Sequence, residues 1–447
     1  MSEMCRNVCV WAIALASVAF SSCGKIRAQD FPRGSFPSFR VPMSDSGDAE
    51  LQYRLAWTPD EVRWSLPLKG YGQSCPVVFE RVIYTTSVEG PNKENLYLQS
   101  FDLDTGHLRW TKTFASSAPD PNTPMVSRAA STPLVDPHGV YAFFESGDLL
   151  KVSHQGEILW NRTLQKDFGP FLNRFGLSST PCQTDDHLFV LLDHSGESFL
   201  VGIDKATGAT LFQTSRGKRA HSWSSPAIIR LDEQPLIVCS SVGTIDLYST
   251  DGVLQCSHTQ VGGNSVATPY DLGEGRFLIS SLIRPADGPS EHALTSNLMA
   301  RVVRHQNGLS IEVVWVAEEA RGSFCSPVEH RGFVYFINPQ GVLFCLNAKT
   351  GQQYYAKRTP AGACWATPLA VDDRLYLFGK EGVTSVVRIG EQFELLAEKN
   401  RTWEDAPAGG AQGDSPIRSG DTLYAGLPTR VGLLIRRGDR LFLVGLP

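Results

Sequence analysis

The chain has 447 residues with a formal net charge of −5, and 19% of them are charged, without a Lys/Arg run or basic stripe. That balance excludes the electrostatic footprint of a nucleic-acid binder. Hydrophobic residues make up 42% of the chain, enough for a large core and too many for a disordered one, and no stretch beyond residue 28 could cross a bilayer as a helix.

Residues 1–28 read as an export signal. Arg6 precedes an apolar run from Val8 to Phe20, too short for a membrane span and suited to secretion. Phe20-Ser21-Ser22-Cys23 resembles a lipoprotein box, with Phe where Leu is usual, so a lipid anchor at Cys23 is one expectation. Ala19-Phe20-Ser21 and Ile26-Arg27-Ala28 would instead suit an ordinary signal peptidase. The expected location is periplasmic or extracellular, on a membrane where that lipid is attached. Residues 29–55, rich in Pro, Ser and Asp, read as a flexible tether, and 56–447 as one domain.

Val62-Arg63-Trp64-Ser65-Leu66 is a lone strand pattern, and a repeat follows it. The repeat's anchors are Cys75-Pro76, Thr132-Pro133, Thr180-Pro181, Ser225-Pro226, Thr268-Pro269, Ser326-Pro327 and Thr367-Pro368, spaced 57, 48, 45, 43, 58 and 41 residues. That period matches the 40–50 residues of a four-stranded blade. After each anchor comes a β-branched and aromatic run such as Val140-Tyr141-Ala142-Phe143 or Val334-Tyr335-Phe336. A Gly turn then closes the third strand, at Thr105-Gly106, Gln155-Gly156, Thr207-Gly208, Asp251-Gly252, Asn307-Gly308 and Thr350-Gly351. The fourth strand often carries a large residue: Trp110, Trp160, Phe212, Trp315, Tyr355. An eighth unit has strands at Leu423–Pro428, Leu433–Arg437 and Leu441–Val444, and lacks a fourth. The reading is therefore all-β: an eight-bladed β-propeller of four-stranded antiparallel blades, the last completed by the N-terminal strand with Trp64. Such closure removes two free sheet edges. Ser415-Pro416 mimics an anchor at poor spacing, so 397–421 reads as a loop; otherwise the C-terminal blade is complete by itself and Trp64 is extra.

In a four-stranded meander the first-to-second and third-to-fourth turns share one face. The second-to-third loops and blade crossings share the other. Every long loop falls in the second set: Ser87–Asn95, Ala115–Val126, Gln165–Gly176, Arg284–Asn297 and Ala397–Asp421. Loops displayed on a rigid scaffold carry function, so this rim is the candidate binding face. Five positions before each anchor Pro stand Tyr71, Arg128, Gly176, His221, Asn264, Gly322 and Ala363; two positions later come Gln73, Ala130, Ser178, Trp223, Val266, Phe324 and Trp365. A two-residue step puts both rows on one strand face. The candidate ligand-binding funnel is thus Tyr71, Gln73, Arg128, Arg174, His221, Trp223, Asn264, Phe324 and Trp365, its aromatics serving either as walls for a small ligand or sugar or as a plug in the narrow mouth. His221 suits a hydrogen-bonded structural role or ligand contact.

Asp185-Asp186 and Asp372-Asp373 sit in tight turns, where Asp bonds locally, and do not suggest a catalytic pair. The cysteines after the signal, from Cys75 to Cys364, read as small buried thiols; a Cys239–Cys256 bridge is the alternative. No metal site, haem motif, phosphate loop or hydrolase motif is present.

The units SSPAII, CSPVEHRGFVYFINPQGVLFCLNAKTG and TPLAVDDRLYLFGKEG resemble the repeats of pyrroloquinoline-quinone-like β-propellers over roughly residues 57–447. One branch, the quinoprotein dehydrogenases, implies pyrroloquinoline quinone with calcium. That branch carries adjacent cysteines, which this chain lacks. Another branch, the lipoprotein subunit of the outer-membrane barrel-assembly machine, implies a non-catalytic scaffold. The longer runs SRAASTPLVDPHGVYAFFESGDL and FGPFLNRFGLSSTP look like secreted proteins of planctomycete-type bacteria, whose role does not carry over. The expectation is an exported, monomeric scaffold rather than an enzyme, without cofactor or metal, binding a protein partner, small ligand or glycan on the long-loop face. The alternatives are a quinone-dependent sugar or alcohol oxidoreductase and a carbohydrate-binding or carbohydrate-cleaving propeller.

Overall fold

The computed structural model describes residue 38 and residues 52–123, 125–219, 222–282, 292–404 and 421–447. The export signal, Cys23, most of the tether, His221, most of the Arg284–Asn297 loop and Ser415-Pro416 lie outside the described residues.

Among the described residues, thirty-two strands form eight separate four-stranded antiparallel sheets, with one short α-helix at Leu164–Phe168 and 3-10 turns at Pro59–Glu61 and Ala293–Thr295. Blades 1 to 7 follow the chain at 77–115, 134–163, 182–217, 227–258, 270–316, 328–358 and 369–400. Blade 8 consists of Leu423–Thr429, Gly432–Arg437, Arg440–Gly445 and, as its outer strand, Val62–Pro67. The N-terminal strand pairs antiparallel with the C-terminal one, Leu66 opposite Leu441. The chain is sewn into a ring as its orphan strand implied.

The core is distributed. Eight apolar clusters each straddle two neighbouring blades, for example Val77, Leu98, Val140 and Leu150 between blades 1 and 2, or Tyr335, Cys345, Leu375 and Val387 between blades 6 and 7. A four-stranded sheet buried on both faces explains why the central strands read as near-continuous apolar runs.

Two devices join the blades. The first uses the fourth-strand Trp, whose indole N–H reaches into the third-to-fourth turn of the next blade. Trp64 donates to the Leu103 carbonyl (3.1 Å), Trp110 to His154 (3.0 Å), Trp160 to Lys205 (3.0 Å) and Trp315 to Ala348 (2.9 Å). Gly106 is what lets the ring settle: its φ is +71°, and an added methyl would stand 2.9 Å from the Trp64 indole. Burying such a ring contributes at most about 4–6 kcal/mol.

The second device explains the Ser/Thr-Pro anchors. The N–H of each anchor donates to the hydroxyl of the next: Cys75 to Thr132 (3.1 Å), Thr132 to Thr180 (3.0 Å), Thr180 to Ser225 (2.9 Å), Ser225 to Thr268 (3.2 Å), Thr268 to Ser326 (2.9 Å) and Ser326 to Thr367 (3.4 Å). The inner strands would otherwise leave these donors unmet at the crowded centre.

The stretch read as tether already contributes contacts at its end. Tyr53 is buried, its hydroxyl donates to the Thr429 carbonyl (3.1 Å), and the Arg54 carbonyl accepts from the Tyr376 hydroxyl (3.1 Å); just past the tether, Trp57 stacks on Tyr376 at 6.5 Å. All seven described cysteines are free, Cys239 and Cys256 included, so the bridge alternative is corrected. Burial pushes the Cys75 and Cys239 thiols up to about 12, as expected of inert structural thiols.

Candidate functional site

On the long-loop face, where the inner strands begin, the ring encloses a cavity of about 460 Å³. That size lies within the range of about 300–1,000 Å³ typical of ligand pockets. Its floor is the anchor row, Cys75, Thr132, Thr180, Ser225, Thr268, Ser326 and Thr367. Its wall is the row two residues earlier, Gln73, Ala130, Ser178, Trp223, Val266, Phe324 and Trp365, with Tyr424 supplied by blade 8. Met125, Val126, Ser127 and Phe175 enter from the crossing loops.

The aromatic wall residues are half-buried and interlocked. Phe324 packs on Trp365 (5.4 Å), Trp365 on Tyr424 (6.1 Å), and Phe175 on Trp223 (5.7 Å). The Trp223 indole N–H is shared between the Asn173 side-chain oxygen and the Gly176 carbonyl, each at 3.1 Å, which fixes the ring against the wall. The structure thus shows an open mouth around these rings, one of the two arrangements the sequence allowed.

Of the funnel residues named from sequence, Gln73, Trp223, Phe324 and Trp365 meet on the wall. Tyr71, Arg128 and Asn264 do not line it. Asn264 is fully buried, its amide donating to Ser240 (2.9 Å) and to the carbonyls of Ser241 (2.7 Å) and Thr244 (2.9 Å), so it ties down a turn. Arg128 is buried and stacks on the Tyr71 ring at 4.2 Å, and the Tyr71 and Tyr424 hydroxyls share a bond of 2.8 Å. Arg174 is exposed and covers the Phe175 ring at 5.2 Å. Arg128 parts from Ala130 because the residue between them, Ala129, is left-handed at φ +46° and breaks the period-two alternation there.

Sequence reasoning missed Phe175, Met125 and Tyr424. Phe175 and Met125 lie on loops without periodicity, and Tyr424 lies on the inner strand of blade 8, which has no anchor Pro to mark it. It also missed the hydroxyl floor, although the Thr/Ser before every later Pro was the signal.

The residues present do not fit a calcium–quinone site. Calcium needs several oxygen ligands with carboxylates among them. Among the described residues the cavity is lined by no Asp or Glu, and no group of three His, Cys, Asp or Glu side chains is placed to hold a metal. No helix of the described residues is long and apolar enough to cross a membrane.

Comparison with known proteins agrees with this architecture. A PQQ-type repeat model described as outer membrane protein assembly factor BamB matches residues 53–174. The crystal structure of BamB from Moraxella catarrhalis superposes with a TM-score of 0.56 at 13% identity, covering 86% of this chain and 96% of that one. The computationally designed Ika8 protein superposes at 0.53 and 11% identity, covering 85% and 98%. No curated protein matches the sequence. At these identities the likeness is one of fold.

Proposed function

We propose, taking as premise that this chain is a PQQ-like repeat β-propeller, that it is an exported, non-catalytic scaffold whose long-loop face receives a partner. The observation that carries the reading is the funnel itself. A rigid ring holds Phe175, Trp223, Phe324, Trp365 and Tyr424 around an open cavity, with Met125 at its lip 60% exposed. Aromatic and Met side chains in a concave setting are the usual anchoring points of protein interfaces. The matched family's printed name, an assembly factor for outer membrane proteins, supports a scaffold role. Export through residues 1–28 and a possible lipid anchor at Cys23 belong to the same proposal.

The test is site-specific photo-crosslinking in a Gram-negative host, with the probe at Met125 and, on the opposite face, at Lys349. Discrete adducts from Met125 that vanish in Trp223→Ala and Trp365→Ala are expected. Equal adducts from both faces would overturn the reading. Dye reduction with alcohols or aldoses after adding quinone and calcium would overturn its non-catalytic part.

A second reading, a glycan ligand, is favoured by the aromatic wall standing over a floor of hydroxyls. A glycan array decides it, since retention should then depend on Trp223 and Trp365.

A further inference from the structure

We infer that the funnel selects an oxyanion, such as a carboxylate, carried on an apolar ring. This deepens the reading of the long-loop face as a binding surface and rests on it.

Charge is the first argument. Arg436, on the second strand of blade 8, is fully buried. It donates through Nη1 to the Ser74 carbonyl (3.0 Å) and hydroxyl (2.7 Å) and to the Thr85 hydroxyl, and through Nη2 to the Thr86 carbonyl (2.7 Å). All these acceptors are neutral. Among the described residues no carboxylate stands within ion-pair distance of it. Ser74 lies between Gln73 and Cys75, which both line the cavity, so the guanidinium stands directly behind the wall. Burial pulls it down to about 10, still cationic at neutral pH. Its bonded partners are all neutral and Asp439 acts on it only from beyond ion-pair distance, so a positive charge is built in behind the Gln73–Cys75 wall.

Two more cations cover rings of the mouth, and a third stands one ring behind it. Arg128 stacks on Tyr71, which is bonded to the wall residue Tyr424; Arg174 covers Phe175 at 5.2 Å and Lys380 covers Trp365 at 5.2 Å. No acid is on the described lining, and Glu145, which takes the Ala129 N–H behind it, is paired with Lys93 at 3.6 Å, so these cations bias the cavity positive.

The floor agrees. The hydroxyl oxygens of Thr132, Thr180, Ser225 and Ser326 each already accept a backbone N–H. What each has left to give is its O–H proton. A ring of O–H donors under an apolar wall suits an acceptor-rich group with a flat apolar body.

The probes are naphthalene carboxylate and its neutral carboxamide, titrated into full-length processed protein and followed by calorimetry and by Trp fluorescence. The carboxylate should bind about tenfold tighter, and the gap should narrow with added salt. The double variant Arg174→Gln/Lys380→Gln alters exposed side chains and should fold normally. It should lose several-fold of the preference while amide binding is unchanged. Arg436→Met should remove most of the rest; if it misfolds, the double variant still decides. Equal affinity for the two probes overturns the inference. So does the absence of binding by either while Met125 crosslinks persist, a result that leaves the scaffold reading intact. Loss of those crosslinks with the carboxylate preference retained would sink the scaffold reading instead.

Discussion

The seam between blades 5 and 6 and the seam between blades 4 and 5 come from the same repeat and are fastened differently. In the former, Trp315 is buried at the outer strand, donates to the Ala348 carbonyl at 2.9 Å, and rests on Gly351, where a methyl would stand 2.7 Å from the indole. In the latter, the Trp position holds Cys256, and the turn glycine facing it, Gly308, has no atom within 4 Å of where its methyl would be. That seam is mainly aliphatic instead, with Ile229, Val238, Leu247, Ile279, Leu298 and Val302 packed around Phe277. Blade 4 is compensated on its other side. There Arg216, fully buried, takes Asp193 through Nε (2.9 Å) and Nη2 (3.3 Å), Tyr248 through Nη1 (2.6 Å), and stands 3.1 Å from Asp246. The blade fold therefore tolerates any fastening that fills the seam, and the indole latch is one solution among three.

The ring closure tests that idea most severely. Deleting residues 52–68 removes the outer strand of blade 8, the Trp64 latch and the Tyr53 and Trp57 contacts at once. Aggregation by gel filtration and loss of a cooperative melt are expected, because the edge of the Arg440–Gly445 strand is exposed. A melt like that of the intact chain would mean the seams suffice without closure. The charged seam comes next. Asp193→Asn leaves the Arg216 guanidinium short of half its bidentate partner and should cost about 3–5 kcal/mol in denaturant unfolding. A cost below about 1 kcal/mol would show that Asp246 alone holds it.

The latch is then measured against its missing counterpart. Trp315→Ala removes a buried ring and its hydrogen bond, and should cost about 3 kcal/mol. Cys256→Ala, at the equivalent position, should cost about 1 kcal/mol or less. Equal losses would erase the distinction between latched and aliphatic seams.

The legibility of the molecule follows the same division. Ring, blade number and closure were readable because they rest on local rules: alternation, turn glycines, a recurrent Thr/Ser-Pro and a Trp64 pattern lacking its own blade. The funnel was readable only in part. Trp223, Phe324 and Trp365 face the cavity, whereas Arg128 is turned away by the left-handed Ala129 beside it, and Tyr71 and Asn264 are taken up by hydrogen bonds to Tyr424 and to the turn at Ser241 and Thr244. Ala129 at φ +46° carries no signal in its residue type. Phe175 and Met125 reach the cavity through crossing loops set by tertiary packing. Arg436 is invisible for another reason: in sequence it is one of two arginines on an apolar strand, and nothing local says that it faces Ser74 across the blade 8–blade 1 seam.

The smallest effect sharpens the aliphatic seam. Asp271, on the first strand of blade 5, is mostly buried, and burial raises its carboxyl from 3.8 to about 6 despite Arg230, Arg276 and the Gly273 N–H at 3.0 Å. The folded chain therefore holds this proton more tightly than the unfolded chain does. Stability from this group is fully present below pH 3.8 and is lost as pH rises through about 6. With residual solvation the loss should be about 1–2 kcal/mol. Asp271→Asn keeps an oxygen for the Gly273 N–H and never ionises. Its melting temperature should exceed the parent's at pH 7 and match it near pH 4. Parallel pH profiles for the two proteins would place the carboxylate in a better solvated setting than the packing between blades 4 and 5 implies.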